Sequence, residues 1–178
     1  KGIEILINLT HRGACGCDPE TGDGAGVLIQ IPHEFFTREC AKLGFGLPDP
    51  GQYGVGMMFL PVELQQRLLC EGIVEKIARE EGLTRLGWRD TPLHVDSIGR
   101  QARATQPYIE QVFIRAGEGM PPDEFERKLS VVRPRAETEI TQRDLSQKGP
   151  IYVPPRSPRT LTHQAMNRAP PRADTPRD

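Results

Sequence analysis

Charge of either sign is almost balanced in this chain: 23 Lys and Arg stand against 24 Asp and Glu, a formal net charge of -1. No global field therefore favours nucleic acid or an anionic membrane surface. No apolar run approaches the roughly 18 residues a membrane-spanning helix needs, and the first residues show none of the regions of a secretory signal. The resulting expectation is a cytoplasmic protein without nucleic-acid or membrane partners. Cysteine is scarce, with Cys15, Cys17, Cys40 and Cys70 spread over 178 residues, which excludes a disulfide-stapled miniprotein and favours reduced thiols. Internal repeats are absent, and at 37% hydrophobic the composition is sufficient for a core.

The residues from Gly2 to Asn8 read as an amphipathic helix that Gly13 can close. A small-residue loop, Ala14 to Gly26, follows, and its glycines suit a backbone pressed close to a neighbour. Val27 to Ile31 has strand composition, and His33 to Leu43 reads as a helix anchored by Phe35, Phe36 and Leu43. Gln52 to Leu60 is a buried strand ended by Pro61. With Pro61 in its first turn and Leu64, Leu68, Leu69, Ile73 and Ile77 as its apolar positions, Val62 to Glu81 is a helix that Gly82 stops.

Leu83 to Arg89 and Tyr108 to Ile114 carry strand signals, with Ser97 to Thr105 helical between them. Trp88 and Phe113 are expected in the core, and Cys40 and Cys70 as buried thiols. Glu124 to Ile140 is a helix in which Pro134 predicts a kink or break. Ile151 to Val153 is a candidate last strand. From Pro154 the composition turns to prolines among Arg156, Arg159, Arg168, Arg172 and Arg177, which predicts a disordered tail over 154–178 beside a folded domain over 1–153. The alternation of helix and strand implies a mixed, layered architecture.

The chemistry concentrates in HRGACGCDPETGDGAG, His11 to Gly26. A glycine loop can cradle phosphate, but Gly22 to Gly26 lacks the Walker lysine and precedes a strand rather than a helix. Asp18, Glu20 and Asp23 miss the spacing of a calcium loop. Cys15 and Cys17, with His11 four residues before Cys15, lack the second ligand pair of structural zinc. No metal site is expected.

The same stretch, continued by VLIQIPHEFF, YGVGMMFLP, EEGLTRLGWRDTPL, ARATQPYIEQVFI and FERKLSVVRPRAETEI, resembles the class II glutamine amidotransferase (glutaminase) domain at the start of glutamate synthase large chains, closely over Lys1 to Glu139. The resemblance implies an α+β, N-terminal-nucleophile hydrolase fold, a four-layer αββα sandwich, here truncated at both ends. It also implies a cysteine nucleophile at the mature N-terminus, activated by its own α-amine. That amine titrates near neutral pH and can take the thiol proton.

Residue 1 is Lys1, and none of the four cysteines occupies the nucleophile's position, so the chain reads as a fragment inactive by itself. By resemblance, Arg12 supports the active site, while Gly13, Gly22, Asp23, Gly24 and Gly26 shape the loop beside it. Arg156, Ser157 and Arg159 match a further family segment only loosely. Glutamine is the implied substrate. The implied cofactors of the complete enzyme are FMN, an iron-sulfur cluster and NADPH or ferredoxin, all outside this stretch. Its implied partners are the remaining glutamate synthase domains and a small electron-transfer subunit. The competing expectation is a glutaminase-like interaction module without activity, and a truncated sandwich predicts aggregation.

Overall fold

The computed structural model describes residues 4, 8, 24–143 and 160–166, with 24–28, 97 and 160–166 described by their backbone. Glu4 and Asn8 are helical, within the predicted first helix. Strand β1 is Gly24–Gln30 and helix α1 is His33–Lys42. They are followed by β2 (Tyr53–Leu60), α2 (Leu64–Glu80) and β3 (Thr84–Asp90). A short 3-10 turn (Val95–Ser97) leads into α3 (Arg100–Ala104), and then come β4 (Tyr108–Arg115), α4 (Pro122–Thr141) and β5 (Thr160–Met166). Mixed helices and antiparallel sheet make this an α+β protein.

The chain divides into two compact units, one of residues 28–92 and 107–162 and one of 1–27, 93–106 and 163–178. In the second, Arg103 Nη2 donates to the Val95 carbonyl at 2.7 Å and ties the 3-10 turn to α3. In the first, β4 is the central strand of the order β2-β4-β3, antiparallel to both neighbours. Strands β2 and β3 therefore run parallel, joined by α2, with β4 inserted between them: a split βαβ unit. Leu86 is the extra residue of a bulge in β3, between Arg85 opposite Ile114 and Gly87 opposite Phe113.

Each sheet face buries its own core. Residues of even number on β4, Val112 and Ile114, pack with Ile73, Val74 and Ile77 of α2 and with Phe125, Leu129, Val132, Ala136 and Ile140 of α4. The odd face carries Phe113, which joins Phe36 and Cys40 of α1 to Tyr53 and Val55 of β2. Gly87, opposite Phe113 in register, lies on this second face, where a Cβ would sit 2.4 Å from the Phe45 ring. Gly82, at φ +73°, closes α2 as its sequence position predicted.

Several expectations are corrected. Helix α2 begins after Pro61, at Leu64, because the Glu63 carboxylate caps it, accepting from the Gln65 and Gln66 amides at 2.8 Å each. Its buried face is Cys70, Ile73, Val74, Ile77 and Ala78, whereas Leu64, Leu68 and Leu69 are exposed. Phe35 and Leu43 are exposed as well, leaving Phe36 and Cys40, one turn apart, as the anchors of α1. Helix α4 runs unbroken through Pro134. That proline lies on the exposed side, where solvent is available to the carbonyl it leaves unbonded.

Strand β1 starts three residues before the predicted Val27 and takes in Gly24 and Gly26, both expected in a loop. Residues 160–166, inside the stretch expected to be disordered, form β5 and pair with β1. Their alternating threonines, Thr160 and Thr162, and their lack of proline suit a strand. The candidate strand Ile151 to Val153 lies outside the described residues, as does the loop from Ala14 to Asp23.

Candidate functional site

The central strand carries two adjacent polar residues in its apolar run, Glu110 and Gln111, and both are buried. Strand alternation sends them to opposite faces. In register, Met58 of β2 and Asp90 of β3 flank Glu110, and Met57 and Arg89 flank Gln111.

On the α1 face Arg89, only 9% exposed, makes a compensated bridge. Its Nη1 donates to Gln111 Oε1 at 2.9 Å and its Nη2 to Glu39 Oε2 at 3.2 Å. Lys42 binds the other oxygen of Glu39 at 2.6 Å. Lys42 first, and Arg89 after it, hold the Glu39 carboxyl below the usual range. One guanidinium thus ties α1 to two strands of the sheet.

On the α2 face carboxyl groups outnumber cations. Glu110, 7% exposed, meets Glu71 of α2 and Asp90 of β3, while its Oε2 is buried without a hydrogen-bond donor. Burial first, then the Glu71 and Asp90 charges, pushes the Glu110 carboxyl up to about 8. Burial also raises Glu71. The Tyr108 hydroxyl donates to Asp90 Oδ1 at 2.8 Å, and this bond is the leading cause of a raised Tyr108 phenol. Arg67 is the nearest cation, its guanidinium 3.7 Å over the Tyr108 ring and 3.8 Å from Glu71. A carboxylic acid that keeps its proton near neutral pH is the chemistry this cluster offers.

The two thiols among the described residues offer none. Cys40 and Cys70 are both 0% exposed, and burial pushes each up to about 11, so neither supplies a thiolate near pH 7. Among the described residues no group of three or more His, Cys, Asp or Glu side chains could hold a metal ion, and no helix is long and apolar enough to cross a membrane.

Of the residues the sequence singled out, Gly24 and Gly26 lie in β1. Arg12, Gly13, Gly22 and Asp23 lie outside the described residues, as do His11, Cys15, Cys17, Arg156, Ser157 and Arg159. Sequence reading missed Glu110, Glu71, Asp90, Arg89 and Glu39. The available signal was the Glu-Gln pair interrupting YIEQVFI, a polar doublet in a strand otherwise apolar on both faces.

The family of class-II glutamine amidotransferases matches residues 1–171, and the chain belongs to it. Its relatives are more particular. It is 43% identical over 138 residues, 77% of its length and 9% of theirs, to the glutamate synthase [NADPH] large chain of Bacillus subtilis. It is 38% identical over 169 residues, 95% of its length and 10% of the relative, to ferredoxin-dependent glutamate synthase 2 of Synechocystis. With the chloroplastic ferredoxin-dependent glutamate synthase of rice it shares 34% over 161 residues, 90% of its length and 10% of the relative. The chain spans about a tenth of the length of these curated relatives.

Proposed function

We propose that the chain is part of the glutaminase domain of a glutamate synthase, which hydrolyses glutamine to glutamate and ammonia for the reductive amination of 2-oxoglutarate. The observation that carries this reading is the match to class-II glutamine amidotransferases over residues 1–171, together with glutamate synthase relatives of both the NADPH and the ferredoxin type. The domain is an N-terminal-nucleophile hydrolase, a four-layer αββα sandwich. The antiparallel β2-β4-β3 sheet with helices packed on it fits the α+β class, and the four layers are what membership of the family implies.

The nucleophile of such a domain is a cysteine at its mature N-terminus, a role for which the buried Cys40 and Cys70 are unsuited. In the complete domain the cysteine α-amine accepts the thiol proton, and the thiolate attacks the side-chain amide carbon of glutamine. The tetrahedral oxyanion is held by hydrogen-bond donors. Collapse expels ammonia and leaves a thioester, which water hydrolyses to glutamate. Arg12 orders the active-site end of the sheet, and Gly13, Gly22, Asp23, Gly24 and Gly26 shape the approach to it.

FMN, the iron-sulfur cluster and the NADPH or ferredoxin site belong to other domains of that enzyme, which with a small electron-transfer subunit are the chain's partners. The described residues do not fit a cluster, since Cys40 and Cys70 lie in separate hydrophobic cores. The domain works in the cytoplasm, without nucleic-acid or membrane partners.

The test is glutamate release from glutamine by the 178-residue chain and by a version extended upstream to the N-terminal cysteine and downstream through the rest of the domain. Activity in the extended protein alone is expected. Activity in the 178-residue chain would overturn the assignment of the nucleophile, and inactivity of both would favour the interaction module.

A further inference from the structure

Three carboxyl groups from three elements converge on the α2 face: Glu71 from α2, Asp90 from β3 and Glu110 from β4. Asp90 stands directly beside Glu110 in register, and Met58, the β2 neighbour on the other side, is apolar. Helix α4 packs on this face with apolar core residues such as Phe125 and Leu129. The cations acting on the cluster are Arg67 of α2 and, on Glu71, Arg85 of β3. Arg85 is already engaged by Glu75 at 3.2 Å and Arg67 is laid over Tyr108. Three carboxylates cannot ionise together against this little positive charge when one of them is buried without a donor.

We propose that Glu71, Asp90 and Glu110 form a proton-held latch fastening helix α2 to the central strand, and that loss of the shared proton above neutral pH loosens this helix. The proton resides on Glu110 and is shared with Glu71 or Asp90, the carboxylates within hydrogen-bonding reach. It closes an acid–carboxylate hydrogen bond between the helix and the sheet. Asp90 is exposed and hydrogen-bonded to Tyr108, so the cluster reaches solvent at its β3 end and the departing proton goes to water. Once it has left, like charges at Glu71 and Glu110 push α2 away from β4.

The sign follows from burial. A carboxyl whose folded pKa is raised to about 8 binds a proton that the unfolded chain releases at ordinary carboxyl pH. The stabilisation is fully present below the unfolded value and is lost as pH rises through the folded one.

The experiment compares the full 178-residue chain with its Glu110→Gln and Glu71→Gln variants at pH 6.0 and 8.5, by thermal unfolding and by hydrogen exchange over α2 corrected for intrinsic rates. Between these pH values the wild type is expected to lose roughly 5 °C of midpoint, and its α2 amides to exchange up to about a hundredfold faster, a factor of ten for each of the roughly two pH units between 6.0 and the folded value. Glu110→Gln keeps the size and a donor without a titrating proton, so both changes should vanish. Glu71→Gln removes one of the repelling charges, so it should flatten them and serves if the first variant does not fold. A flat wild-type profile overturns the latch, and so does an unchanged pH slope in the variants, since every histidine is common to all three proteins.

Discussion

The two faces of the β2-β4-β3 sheet handle the same difficulty in opposite ways. Each has one buried polar residue of β4 at its centre, and each meets a helix. On the α1 face Gln111 is neutral, and Arg89 matches Glu39 charge for charge. On the α2 face Glu110 faces two further carboxyl groups, and the balance is made by a proton. The first arrangement is indifferent to pH in the neutral range, whereas the second is set by it. The surrounding cores differ too: the α1 face is a compact cluster around Phe113 and its aromatic neighbours, and the α2 face is a broad aliphatic layer shared by two helices. A small aromatic core depends on its hub; a broad one spreads the load.

Substitutions on either side break or sharpen that contrast. Phe113→Ala removes the ring that meets Phe36, Phe45 and Tyr53 at centroid distances of 5.2, 5.7 and 6.5 Å. It should cost about 3–5 kcal/mol, read as a lower denaturant midpoint. Arg89→Ala leaves Gln111 without its donor and Glu39 with Lys42 alone, for an expected loss of about 2–3 kcal/mol in equilibrium denaturation. Little change of that loss between pH 6 and 8.5 would confirm a compensated bridge.

Gly87→Ala drives a methyl group into the Phe45 ring, and about 1–2 kcal/mol should be lost, with a fluorescence change at Trp88 on the neighbouring position. Arg67→Ala on the opposite face removes the stacking on Tyr108 at an expected cost of about 0.5–1 kcal/mol. Because it also removes a cation beside Glu71 and Glu110, it should raise the pH at which their proton is lost, measurable as an upward shift of the midpoint-against-pH profile. Leu68→Ala, on the exposed side of α2, should move the midpoint by less than about 0.5 kcal/mol.

Strands β2, β3 and β4 were legible to within a residue or two because each is a short β-branched or aromatic run bounded by Gly, Pro or charge. Helices α1 and α4 were legible as well, though which side of a helix is buried was read less well. In α2 the leucines at 64, 68 and 69 suggested one face, while the core took Cys70, Ile73, Val74, Ile77 and Ala78. Side-chain hydropathy alone favoured leucine over the smaller Ala78, whereas Cys70 is buried as expected. Packing favoured the residues that let the helix approach the sheet and α4. The expected site was legible only as a resemblance, carried by His11 to Gly26, most of which lies outside the described residues.

The order of elements was settled by local chemistry in the sequence: Gly82 had to end α2 in a left-handed conformation, and the motif series by itself pointed to the glutamine amidotransferases. Tertiary structure decided what became of Glu110 and Gln111. As neighbours in sequence they are two ordinary polar residues. Strand pairing set Asp90 beside one and Arg89 beside the other, and the helices brought Glu71 to the first and Glu39 to the second. Charge compensation depends on distances across the fold, between residues far apart in sequence, and those distances exist only once the sheet has formed.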